Sequence, residues 1–113
     1  MIARALVQDS DILIMDEPTA NLDYGNQFRI MEKVKKLAGQ GYLILLSTHN
    51  PEHALLFADQ VLVLKEHSII KSGSPKDVLG SKMIQDIYGI KVELKNISTE
   101  SGMVPVFVPC LDR

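Results

Sequence analysis

Residues 11–23 read DILIMDEPTANLD, and this stretch decides the fold. Ile12, Leu13, Ile14 and Met15 form a short, uninterrupted apolar run. A run of that length between polar residues predicts a strand buried on both faces, as in a parallel sheet. Asp16 and Glu17 follow at its carboxyl end, where open α/β sheets bind their ligands. Pro18 stops the strand, because proline has no N–H to give to a ladder. Successive strand residues point to opposite sides, so two acids at the end of one strand are expected to do different work. One can hold a Mg²⁺ ion, usually through its water shell, while the other orients or deprotonates an attacking water. An isolated Asp-Glu-Pro is more often a polar strand exit than a site. The apolar strand before it and the TANLD after it turn the reading toward chemistry.

A helix is predicted over residues 24–38, where Phe28, Met31, Val34 and Ala38 recur at helical spacing and Leu37 adds to the same face. These are core residues. Asp23 is placed to cap that helix by accepting backbone N–H bonds, and Gly39 and Gly41 end it. Residues 42–47 (YLILLS) read as a second buried strand. Strand, helix and apolar strand together predict a right-handed βαβ unit. His49 falls just past the second strand and should therefore lie near Asp16 and Glu17. A lone His is usually a surface or satisfied core residue, but this one follows Ser47 and Thr48 directly after a buried strand.

ILIMDEPTANLD resembles the Walker B strand and D-loop of ABC-type ATPases, and Ser47-Thr48-His49 resembles their switch-histidine loop. The order and separation of the two motifs match that family. The resemblance implies an α/β fold: a partial P-loop NTPase core with a mainly parallel sheet, an antiparallel hairpin and C-terminal helices. It implies ATP and Mg²⁺ as cofactors. Glu17 and His49 fall at the catalytic glutamate and the phosphate-sensing histidine. Asp16 falls at the metal-associated aspartate, and Asp23 at the D-loop aspartate that couples two facing domains. Asp16, Asp23 and His49 are thus the expected cofactor-binding residues, with Asp16 on the metal. A helix-capping role for Asp23 is compatible with this.

The chain has 113 residues, enough for one small domain with a modest core. Hydrophobic residues make up 46% and charged residues 23%, which is ordinary for a soluble globular protein. Twelve basic against 14 acidic residues leave a net charge of -2, with no electrostatic footprint for nucleic acid or an anionic membrane. Lys33, Lys35 and Lys36 read as a solvated helix face. Cys110 is the single cysteine, so no intrachain disulfide or cysteine-built zinc site is available. No secretory signal is visible, and no apolar stretch reaches the ~18 residues of a membrane helix.

Residues 2–8 (IARALVQ) are rich in good helix formers and are expected to be the remainder of a helix, with Arg4 on its surface. In the resembled family such a helix follows the signature loop. After Asn50-Pro51 a short helix is expected over residues 52–58, with His53 incidental within it. Residues 60–65 and 68–72 read as a hairpin around a Glu66-His67 turn, with His67 exposed. In the resembled family this hairpin closes the sheet. Short helices follow over residues 75–79 and 81–87, and residues 92–97 and 104–108 are expected to form a terminal hairpin. The ending IYGIKVEL is most like the nucleotide subunits of iron-siderophore, haem and cobalamin importers.

The resemblance covers residues 1–92 as the C-terminal part of an ATP-binding domain and leaves 93–113 as an extension. No G-x-x-x-x-G-K-[ST] phosphate loop occurs in the chain, nor a signature or glutamine-bearing loop. The implied partners are transporter membrane subunits, a second ATPase domain and the missing N-terminal half, with no nucleic acid. The implied location is cytoplasmic, at the inner face of the membrane. Two rivals remain: a fragment of a DNA-repair-type ABC ATPase, and a non-catalytic interaction fragment.

Overall fold

The computed structural model describes residues 3–6, as backbone, and residues 12–112. They form two compact units, residues 1–50 and 51–113.

The first unit is a three-stranded sheet with one helix. β1 (Ala3–Leu6), β2 (Ile12–Asp16) and β3 (Leu43–Ser47) lie in the order β1-β2-β3. β2 and β3 are parallel, in register from Ile12 opposite Leu43 to Asp16 opposite Ser47. α1 (Tyr24–Gly39) connects them and packs against β3. Its buried residues are Met31 and Val34, one turn apart on the face read from the periodicity. Leu13 is buried in the sheet itself. Gly41 follows the helix at φ 105°, a conformation that favours glycine.

Ala3–Leu6 is a strand, not the helix expected over residues 2–8. It pairs antiparallel with β2, from Ala3 opposite Asp16 to Leu6 opposite Leu13. The other residues of the expected helix, the side chain of Arg4 and Asp11 lie outside the described residues. The ladder explains the difference. A helix this short is marginal alone, whereas the outer edge of β2 offers a row of backbone donors and acceptors that need partners. Propensity loses to tertiary pairing.

The expectation of burial on both faces also fails. Ile14 is 41%, Leu43 65% and Leu45 55% exposed. Within this unit α1 packs against β3, while Ile14, Leu43 and Leu45 keep their apolar side chains largely in solvent.

The second unit contains α2 (Pro51–Phe57), β4 (Val61–Lys65), β5 (Ser68–Gly73), α3 (Pro75–Val78), α4 (Ser81–Tyr88), β6 (Val92–Thr99) and β7 (Gly102–Pro109). Leu55, Val63, Val78, Leu79, Ile84 and Val92 form its core, with Phe107, Ile87 and Leu94 packed around them. β4 and β5 form a hairpin whose two turn residues, Glu66 and His67, both take positive φ (49° and 67°). That is the left-handed pair that suits the twist of a two-residue turn. The hairpin makes a two-stranded sheet, and α3 packs beside it. Gly89 ends α4 in the left-handed conformation, its N–H donating to the Gln85 carbonyl at 2.9 Å. β6 and β7 pair along their whole length.

His53 is a core residue, 1% exposed, and not the incidental helix position expected from sequence. Burial pulls its pKa below the ordinary 6.5, with the neighbouring Glu52 opposing the shift. The unfolded chain therefore binds this proton more readily than the native one. Stability contributed by neutral His53 is present above about 6.5 and is lost as the pH falls toward the lowered native value. Urea midpoints measured from pH 7.5 down to 5 are expected to fall, and His53→Leu to flatten that slope. A midpoint independent of pH in the parent chain would contradict the burial argument.

Candidate functional site

The site is built where the two parallel strands end together. Asp16 and Ser47 are the last paired residues of β2 and β3. In-register parallel pairing sets them side by side, and the Ser47 Oγ donates to Asp16 Oδ1 at 2.6 Å. Glu17 then leaves the strand at φ 44°, a left-handed conformation uncommon for a residue with a side chain. Its N–H donates both to the Ser47 carbonyl at 3.1 Å and to Ser47 Oγ at 3.0 Å. The strained turn is thus pinned by β3. Glu17 is no longer a strand residue, so simple alternation does not govern where its carboxylate goes.

That carboxylate meets His49. The Nε2 of His49 lies 3.2 Å from Glu17 Oε1, with the imidazole 87% and the carboxylate 39% exposed. Thr48 turns the chain between strand and α2, its Oγ1 accepting from the Asn50 N–H at 3.0 Å. Asp16, Glu17 and His49, predicted separately from two motifs, are therefore one cluster joined through Ser47.

The loop after Glu17 folds on itself. Pro18 and Thr19 are buried. The Ala20 N–H donates to the Glu17 carbonyl at 3.0 Å and the Leu22 N–H to that of Thr19 at 3.3 Å, with Asn21 at φ 68°. Asp23 then caps α1: Oδ1 accepts from the Asn26 N–H at 2.9 Å and Oδ2 from the Asn26 amide at 3.2 Å. Both of its oxygens are committed to the helix start.

Ser47 was missed as a site residue. The available signal was register: ILIMD and LILLS are five-residue strands that end in Asp16 and Ser47. The residues present suit a hard cation. Asp16 Oδ2 and the Glu17 carboxylate are oxygen donors of the kind Mg²⁺ takes. Among the described residues, no three His, Cys, Asp or Glu side chains are arranged so that together they could hold a metal ion. Such a set fits a cation that completes its shell with water and phosphate, not one held in a protein cage. Among the described residues, no helix is long and apolar enough to cross a membrane.

No protein-family model matches the chain. It is 40% identical over 94 residues to an uncharacterized ABC transporter ATP-binding protein of Haemophilus influenzae, covering 83% of this chain and 36% of that protein. It is 37% identical over 109 residues to the petrobactin import ATP-binding protein of Bacillus anthracis, covering 96% of this chain and 39% of the relative. The chain belongs to the ABC transporter ATP-binding proteins. Its fold agrees: an inward-facing putative metal-chelate type ABC transporter superposes with a TM-score of 0.79 at 22% identity, over 89% of this chain and 40% of that one. The chain spans less than two fifths of the length of these two ABC relatives, 36% and 39%.

Proposed function

We propose that this chain is the water- and metal-handling part of an ATP-hydrolysing subunit of an ABC importer. The observation that carries the reading is the meeting of Glu17 and His49 at 3.2 Å, beside Asp16, where two parallel strands end. In a complete domain Glu17 orients or deprotonates the water that attacks the γ-phosphate. His49 holds Glu17 on one side and contacts the γ-phosphate on the other. Asp16 supports Mg²⁺, which when bound supplies positive charge to the phosphate oxygens. Asp23 starts the helix after the loop and helps couple a second ATPase domain across the dimer. Residues 1–92 belong to the ATP-binding domain and 93–113 form an extension. The partners are that second domain, the N-terminal half and membrane subunits, at the cytoplasmic face of the membrane. Iron-siderophore, haem or cobalamin is the cargo class; the petrobactin-importing relative and the IYGIKVEL ending support it.

The backbone amides and lysine of a phosphate loop are absent from these 113 residues. The chain by itself is therefore expected neither to hydrolyse ATP nor to bind it tightly, as titration calorimetry would show. Steady turnover by the purified chain, abolished by Glu17→Gln, would overturn the assignment of phosphate binding to another segment. Mixing with a separately made N-terminal half separates this function from a binding module: restored ATPase activity supports the enzyme, and binding without turnover rejects it.

A further inference from the structure

Building on the hydrolytic reading above, we propose that Ser47 is a positioning residue that locks Asp16 and Glu17 into one arrangement through a single hydroxyl. Its Oγ has one proton and gives it to Asp16 Oδ1 at 2.6 Å. The same oxygen accepts the Glu17 N–H at 3.0 Å. One atom on β3 thus ties the side chain of the metal-side acid to the backbone of the water-side acid. The two bonds are mutually consistent: donation to a carboxylate leaves the hydroxyl lone pairs turned toward the amide.

The arrangement has consequences for both acids. Asp16 Oδ1 already accepts the Ser47 proton, so Oδ2 is the less encumbered oxygen for a cation or its waters. Glu17 sits at φ 44°, a conformation that needs support from its surroundings. The N–H bonds to Ser47 supply that support, and through it the placement of the Glu17 carboxylate against His49. Ser47 itself touches neither water nor phosphate in this role. It acts through the other two.

The test compares Ser47→Thr with Ser47→Val in a complete ATP-binding domain that includes this chain. The two variants share a shape suited to a strand end and differ in the hydroxyl. Ser47→Thr is expected to turn over within about twofold of the parent, and Ser47→Val about 10-fold slower, the size of a lost hydrogen bond to a charged group. KM for ATP is expected to stay unchanged while the Mg²⁺ concentration for half-activation rises in Ser47→Val. In the 113-residue chain, amide exchange at Glu17 is expected to be faster in Ser47→Val than in Ser47→Thr. Parent-like kcat in Ser47→Val, or equal slowing in both variants, would overturn the proposal, as would equal exchange at Glu17. Glu17→Gln, run alongside, separates the two ideas. If it turns over like the parent the hydrolytic reading fails, whereas loss of turnover with an indifferent Ser47 rejects only the positioning role.

Discussion

Glu17→Gln in a complete ATP-binding domain is expected to slow ATP hydrolysis by about 10²- to 10⁴-fold, the usual contribution of a positioned general base, while ATP binding persists. The geometry explains why this one atom change should act so selectively. The backbone of Glu17 is held by β3 through its N–H, independent of the side chain. Glutamine keeps the length and can still accept from His49 Nε2, which lies 3.2 Å from the carboxylate oxygen. What it loses is basicity. Asp16, tied to Ser47 rather than to Glu17, is left as it was. Binding measured by equilibrium titration should therefore match the parent, and single-turnover hydrolysis should not. The ATP-bound dimer should also accumulate, since its decay requires hydrolysis. Parent-like turnover would remove Glu17 from the catalytic role. A loss of ATP binding equal to the loss of turnover would show that it acts on the ground state.

The sequence was most legible where one local rule decided the structure. The βαβ unit came from two apolar runs flanking a helical period, and the parallel pairing of β2 with β3 follows. The Glu66-His67 turn came from its length between two strands, even without the usual glycine. The site was legible as types and order, Asp16-Glu17 and then His49, because motifs record side chains that must be particular chemical groups. Features that depend on partners distant in sequence were not legible. ARAL has the composition of a helix, and only the open edge of β2 makes it a strand. His53 looks like any polar residue on a short helix until the core closes over it. Ser47 needs the register of two strands 31 residues apart before its hydroxyl meets Asp16. Burial was misread for a related reason. An apolar strand states what it can bury, and the layers present decide what it does bury.

That unfilled capacity should make the chain associate. Ile14 and Leu45 are direct partners in the β2–β3 register, and Leu43 lies two residues along the same face. All three are more than two fifths exposed, at 41%, 55% and 65%. Contiguous apolar surface of this kind drives association. Pairing adds to it. β2 has neighbours on both sides, but among the described residues β3 is the last strand of its sheet and leaves one edge of backbone groups open. A net charge of -2 offers little repulsion. The apparent mass by light scattering is thus expected to rise with concentration. Leu45→Lys should suppress that rise, because it sets a charge at the centre of the patch and on the open-edged strand. Amide exchange should separate the two contributions: β2 protected at every concentration, β3 gaining protection as the chain associates. A parent chain that stays monomeric across the series, with β3 as protected as β2, would show that the face and edge are satisfied within one molecule.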